Sequence, residues 1–200
     1  MKTIYLVRHA ETTWNLEGKV QGSCDTPLSI DGLAQTAKTV VFLSALRFDA
    51  IFTSPLTRAR AIAEPVGANL GVPPIVVPEL REIEFGGWEG HTWNEIQAKY
   101  PATLAAWELK SAGARPDGGE SLDDVAHRAR VVRSMLESKC GSLALVVAHG
   151  GFNRVFMSVL LDLPLSSYNS FTQPNACISV FEAETSKWQA RVIDSTCHLA

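Results

Sequence analysis

A chain of 200 residues, 46% hydrophobic and 20% charged, is long enough to build an ordinary core without disulfides or a structural metal. Eighteen Lys and Arg against 21 Asp and Glu leave a net charge of −3, which argues against a nucleic-acid coat or a membrane-surface binder, although a small basic pocket can hide inside an acidic total. Cys24, Cys140, Cys177 and Cys197 show no CxxC and no zinc-like spacing, and no stretch nears the ~18 apolar residues of a membrane helix.

In chain order, residues 3–7 (TIYLV) read as a buried strand, and two strongly polar side chains, Arg8 and His9, follow at once. That early break in the apolar run is unlike a signal peptide, so a cytoplasmic protein with reduced cysteines is expected. Residues 30–46 have helical spacing, with Asp31 near the start and Leu33, Ala37, Val40, Val41 and Leu43 as the expected buried face. Ala50–Thr53 reads as a short strand, followed by a helix with Ser54 as N-cap and Pro55 as its first residue. Residues 74–80 (PIVVPEL) form the next expected strand. Residues 120–141 read as a long amphipathic helix, opened by the Ser121/Asp124 start signal and closed by Gly141. Residues 142–151 (SLALVVAHGG) are a strand, and ACISVFEA and WQARVI supply two more. The alternation of Val/Ile-rich runs with amphipathic stretches is the α/β pattern, in one domain over residues 1–200.

One stretch interrupts this alternation. Residues 86–119 carry Trp88, Trp93 and Trp107 and have loop glycines at both ends. An excursion of this length is either a cap facing a substrate or a helical decoration. Its basic residues are Lys99, Lys110 and Arg115.

In an open parallel sheet the strand C-termini share one edge, and ligands bind in the crevice there. Arg8 and His9 end the first strand, and His149 with Gly150 and Gly151 ends LALVVA. Arg58 lies a helical turn beyond AIFT, and Glu82 follows IVVPEL. Four separate segments would thus bring two arginines, two histidines and one glutamate to one edge. Arginine forks match phosphate geometry. No GxxxxGK[ST] or GxGxxG loop is present to cradle a nucleotide, and no carboxylate cluster accompanies these residues to hold Mg²⁺. A histidine nucleophile, arginine clamps and one carboxylic acid remain, an inventory suited to phosphoryl transfer without metal or cofactor.

At this point the blocks LVRHAETTWN, QGSCDTPLSIDGLAQ, FTSPLTRARAIA, LREIEFGGWEG, PDGGESLDDVAHR and VVAHGGFNR, in this order, resemble the histidine phosphatase superfamily, the phosphoglycerate-mutase-like proteins. Ala10 stands where glycine is common in that family. The resemblance implies a three-layer α/β/α sandwich with a mostly parallel central sheet. It implies that His9 is the phosphorylated nucleophile, that Arg8, Arg58 and His149 bind the transferring phosphoryl, and that Glu82 is the proton donor. Asn15 and the Gly150 N–H match further oxygen contacts, and Gln21 matches a contact to phosphate or substrate.

The activity so implied is a metal-independent phosphatase acting on a small phosphorylated metabolite through a phosphohistidine. One rival, a cofactor-dependent phosphoglycerate mutase, resembles the chain in the same motifs, and the other is a phospho-ligand-binding module without turnover. The substrate stays open among phosphoserine, α-ribazole phosphate, sugar phosphates and phosphoglycerates, with the TCHL tail resembling some phosphoserine phosphatases. A homodimer is an arrangement common among such relatives.

The remaining polar candidates read more plainly. His127, beside Arg128 and Arg130, sits on a solvated helix face, and His91 is an exposed loop residue. Arg60 would point away from the edge, and Trp14 packs beside Asn15. His198 belongs to a tail that is either loose or folded over the pocket. Arg154 follows HGG by a helical turn, with contact to the site as its less favoured reading.

Overall fold

The computed structural model describes residues 1–109, 113–185 and 187–200, so Lys110 lies outside the described residues. Six strands form one sheet: β1 (Lys2–Arg8), β2 (Ala50–Thr53), β3 (Ile75–Val76), β4 (Leu143–Ala148), β5 (Ile178–Ala183) and β6 (Trp188–Ser195). Their order is β3-β2-β4-β1-β5-β6, parallel from β3 to β1 and antiparallel for β5 and β6. The register places Arg8 beside Ala148 and Thr53 beside Val147, so β1, β2 and β4 end together. His9, Ser54 and His149, each the next residue, therefore share one rim.

Helices cover both faces: α1 (Thr13–Leu16), α2 (Ile30–Ser44), α3 (Thr57–Leu70), α4 (Trp93–Lys99), α5 (Pro101–Glu108), α6 (Leu122–Lys139) and α7 (Gly150–Leu160). The pleat sorts β1 between two cores. Ile4 and Leu6 pack with Val132 of α6 and Phe152 of α7, while Val7 joins Leu43 of α2 and Ile62 of α3. Each such fully buried side chain contributes about 1.5–3 kcal/mol relative to exposure. The layers and the mostly parallel sheet are those expected.

Several local expectations change. The strand foreseen over 74–80 shrinks to Ile75–Val76, and Pro78–Leu80 is a 3₁₀ turn. Pro74 and Pro78 bracket the pairing residues and cannot donate to a ladder. On α2 the buried residues are Gly32, Thr39 and Leu43, whereas Leu33 and Val41 are 60% and 73% exposed and Ala37 is exposed too. The third helix starts at Thr57, with no side-chain bond from its N-cap Leu56. Asp25 caps it instead, accepting from the Thr57 N–H and, at 2.8 Å, from its hydroxyl. The Ser121/Asp124 box does open α6, while that helix ends at Lys139, with Cys140 extended. Gly141 serves a close approach, since a Cβ there would stand 2.7 Å from an Asp49 carboxylate oxygen. All four cysteines are free.

The described part of the 86–119 excursion carries α4 and α5. Phe85, Trp88 and Trp107 form its aromatic knot, with ring centroids 5.7–6.4 Å apart. Its neck closes where Gly87 N–H donates to the Asp117 carbonyl at 2.9 Å. Gly86 has φ +50, and a Cβ there would lie 2.2 Å from that same oxygen. No described helix is long and apolar enough to cross a membrane.

Candidate active site

A cavity of about 150 Å³ opens at the C-terminal rim of the parallel strands. Seven of the eight residues anticipated from sequence line it: Arg8, His9, Asn15, Gln21, Arg58, Glu82 and Gly150. The eighth, His149, is fully buried behind them, its ring centroid 5.2 Å from that of His9.

The backbone sets the histidine tautomers. His9 Nδ1 lies 2.7 Å from the Ala10 carbonyl, which only accepts, so Nδ1 carries the proton and Nε2 keeps its lone pair. Burial first, then Arg8 and Arg58, hold the pKa of His9 well below 6.5. His149 Nε2 meets Ser54 Oγ at 2.7 Å. Ser54 Oγ also accepts from the Leu56 N–H at 3.3 Å; with its own proton given to Nε2, the Nδ1–H of His149 is a donor. Burial first, then Arg58, lowers the pKa of His149 strongly as well.

The clamps are assembled from distant segments. Arg58, on the first turn of α3, donates to the carbonyls of Cys24 (2.6 Å) and Gly22 (2.8 Å), tying the Gln21 loop to the site. Arg8 donates to the Gln173 carbonyl. Asn15 sits in a capping box with Thr12, and its Oδ1 also accepts from Asn175 at 3.1 Å, so its amide NH₂ faces the cavity as a donor. Buried nitrogens without partners gather here: Nε of Arg8, Nε of Arg58, Nδ1 of His149 and Nε of Arg154. An unsatisfied buried donor costs about 1–3 kcal/mol, so those of Arg8, Arg58 and His149 together describe a site shaped for an oxyanion, with Arg154 where that cavity meets a second one.

Glu82 lines the same cavity. Its carboxylate accepts N–H bonds from Ile83 (2.9 Å), Gly151 (3.0 Å) and Phe152 (2.8 Å), the last two from the first turn of α7. A Cβ at Gly151 would stand 2.7 Å from Glu82 Oε1, so glycine there lets the carboxylate reach the helix end.

Two supporting residues escape a sequence reading. Ser54, read as an N-cap, instead meets the ring of His149 at 2.7 Å. Arg128, next to His127 on a helix face expected in solvent, is buried. Its guanidinium donates to the carbonyls of Glu79 (2.7 Å), Arg81 (2.7 Å) and Glu82 (3.1 Å), and pairs with both oxygens of Glu120 at 2.9 Å. Glu120 in turn accepts the Glu84 N–H at 3.1 Å. This pair fixes the backbone that carries Glu82. Breaking a buried ion pair from one side costs about 3–5 kcal/mol, so Arg128→Met is expected to lower unfolding free energy by that amount in a denaturant titration.

The other candidates are set apart. His127 is exposed, Arg60 pairs with Glu64 at 2.6 Å, and His91 lies outside the cavity wall. His198 meets Thr39 at 3.0 Å, which docks the tail on α2 rather than over the cavity. Trp93, half exposed, lines the cavity with Phe85, while Trp88 and Trp107 lie outside its wall. Arg154 also lines the cavity, contrary to its favoured reading. Among the described residues no group of three His, Cys, Asp or Glu is placed to hold a metal.

The two buried histidines carry a stability signature. The unfolded chain takes up their protons near pH 6.5, which the native fold resists. Stability from this source is therefore complete above pH 6.5 and declines below it, by up to about 1.4 kcal/mol per pH unit per histidine. Thermal midpoints measured from pH 7.5 to 5.5 are expected to fall; a flat profile would show that the imidazoles titrate inside the fold.

Comparison with known proteins places this geometry. The family model described as "Histidine phosphatase superfamily (branch 1)" matches residues 4–196. Phosphoserine phosphatase 1 of Hydrogenobacter thermophilus is 32% identical over 200 residues, covering 100% of this chain and 95% of that protein. The protein of Cronobacter sakazakii named "Probable phosphoglycerate mutase GpmB" is 31% identical over 195 residues, 95% of this chain and 89% of its own. The chain also matches a longer wheat (Triticum aestivum) 2-carboxy-D-arabinitol-1-phosphatase, 32% identical over 182 residues, 90% of this chain and 37% of that protein. Among solved structures, the Entamoeba histolytica phosphoserine phosphatase with 3-phosphoglyceric acid superposes with TM-score 0.90 at 27% identity, covering 100% of both chains.

Proposed function

This chain belongs to the histidine phosphatase superfamily, and on that premise we propose that it hydrolyses small phosphomonoesters through a phosphohistidine at His9, with no metal. The observation that carries this reading is the ring of unpaired buried nitrogens around an imidazole whose Nε2 lone pair is free.

His9 Nε2 attacks phosphorus, and the ester P–O bond breaks. Glu82, protonated at this stage, gives its proton to the departing ester oxygen and becomes a carboxylate. Arg8, Arg58, His149, Asn15 and the Gly150 N–H stabilise the charge on the equatorial oxygens, with Gln21 completing the wall. Water then attacks the phosphohistidine, Glu82 accepts its proton, and phosphate leaves His9 as it began. Residues 86–119 act as the cap over this site, the protein works in the cytoplasm, and its partner is the phosphorylated metabolite itself. A homodimer through the exposed face of α2 would cover Leu33 and Val41, and sedimentation at micromolar concentration tests it.

The test is rapid quenching during turnover of a ³²P-labelled ester, followed by peptide mapping. Label on His9 supports the reading; label on any other side chain, or loss of activity on chelation, overturns it.

The Cronobacter relative's name favours a second reading, mutase activity, in which the phosphohistidine is shielded from water. Of the cap's basic residues among those described, Arg115 is spent on Asp124 at 3.1 Å and Lys99 sits 3.4 Å from His91, so neither lines the cavity. Hydrolysis is favoured accordingly. Incubation of 3-phosphoglycerate with catalytic bisphosphoglycerate separates the two, since isomer without free phosphate would establish the mutase.

A further inference from the structure

The cavity extends past the phosphate donors. A second cavity of about 250 Å³ shares Trp93, Arg154 and Tyr168 with the first and runs on beneath Leu104 and Trp107. Arg154 stands at the junction, a helical turn beyond Gly150 on α7. One of its N–H groups donates to the Thr172 carbonyl at 2.8 Å, and its guanidinium carbon lies 5.7 Å from the Tyr168 ring centroid. Its buried Nε has no partner, and no described carboxylate pairs with it. Glu108, exposed at the outer rim of the second cavity, leaves it uncompensated, and Lys19, the other cation of the mouth, is already matched by Glu17 at 2.6 Å.

The charges near the reacting centre are otherwise spoken for. Arg8 and Arg58 face Glu82 and the doubly charged phosphoryl. Arg154, with Trp93 and Tyr168, lines both the phosphate cavity and the second cavity that continues from it, the space left for the rest of an ester. A neutral alcohol would leave this guanidinium without a counter-charge, whereas a carboxylate on the alcohol would meet it as a charge-assisted pair.

We propose that Arg154 selects the leaving group, and that the substrate is a phosphomonoester whose alcohol carries a carboxylate, a phosphorylated hydroxy acid. This rests on reading the His9 site as a phosphomonoesterase. A purely structural role for Arg154 has a different consequence. Thr172 precedes Gln173, whose carbonyl holds Arg8, so loss of a simple latch would weaken every ester alike.

The test compares 3-phosphoglycerate with glycerol 3-phosphate, which differ in the carboxylate and leave with similar alcohols. Wild-type kcat/KM is expected to favour the carboxylated ester at least about tenfold, a preference that shrinks as salt is raised. Arg154→Gln is expected to lower the ratio of the two kcat/KM values by about 10- to 100-fold, and Arg154→Lys to lower it less. Equal losses on both esters, with the ratio intact, would reduce Arg154 to a latch and overturn the proposal. Absence of any wild-type preference would overturn it without recourse to a variant, while hydrolysis of either ester would still uphold the phosphatase reading. Failure of the wild type on both esters and on p-nitrophenyl phosphate would instead remove that reading, and this proposal with it.

Discussion

Replacing His9 with alanine is expected to abolish phosphate release from every ester, a loss of at least about four orders of magnitude in kcat. The expectation follows from how the residue is held. Its Nδ1–H is committed to the Ala10 carbonyl, its ring is buried, and neighbouring cations hold it neutral, so Nε2 is a permanent lone pair at the head of the oxyanion site. Arg8, Arg58 and His149 would survive the substitution and still gather phosphate, but no other side chain there presents a comparable nucleophile. The variant should therefore bind inorganic phosphate nearly as tightly as the parent while showing no turnover and no acid-labile label. Residual phosphate release above one part in a thousand would take His9 out of the covalent role.

Glu82→Gln is expected to divide substrates by leaving group. Alkyl phosphates need a proton on the departing oxygen, and a positioned acid contributes typically about 10²–10⁴ in rate, so their turnover should fall by that factor. p-Nitrophenyl phosphate departs as a stable phenolate, and its first step should proceed almost unimpaired. The second step still lacks a base for water. The signature is thus a burst of nitrophenolate equal to the enzyme present, followed by a slow phase as phosphohistidine accumulates. Glutamine is nearly isosteric and can keep accepting two of the three N–H bonds that now orient the carboxylate. Stopped-flow absorbance reads the burst directly. Equal slowing of the first step for both ester classes would remove Glu82 from proton donation.

Much of this site was legible because strand ends are. An apolar run that stops on Arg8 and His9, and another that stops on His149, announce a shared rim once the strands are parallel, and register then does the rest. What stayed hidden depended on tertiary partners. Arg128 occupies a face that helical periodicity would give to solvent, and nothing local says that three carbonyls of the 79–82 segment will lie against it. Ser54 precedes a proline and reads as a cap, yet Asp25 takes that duty from 32 residues away and frees Ser54 for His149. The exposed apolar residues of α2 mislead for a related reason, since that helix packs through the narrow face of Gly32, Thr39 and Leu43, and Leu33 and Val41 fall outside it. β3 fails by simple chemistry, its pairing cut short by prolines on either side.

The first turns of α7 have a further consequence. Gly150 lines the first cavity, Gly151 and Phe152 hold the Glu82 carboxylate through their N–H groups, and Arg154 follows one turn later. All three functions ride on a single rod, keyed into the core by Phe152 and the Phe156 ring stacked 5.6 Å from it. On the proposed roles, any shift of that rod would carry the phosphoryl contact at Gly150, the amides that hold the acid and the selector in step, so their mutual spacing would be preserved. An engineer wishing to retune preference should therefore edit the tip at position 154 and leave the root untouched, because a tilt at the root detunes everything at once.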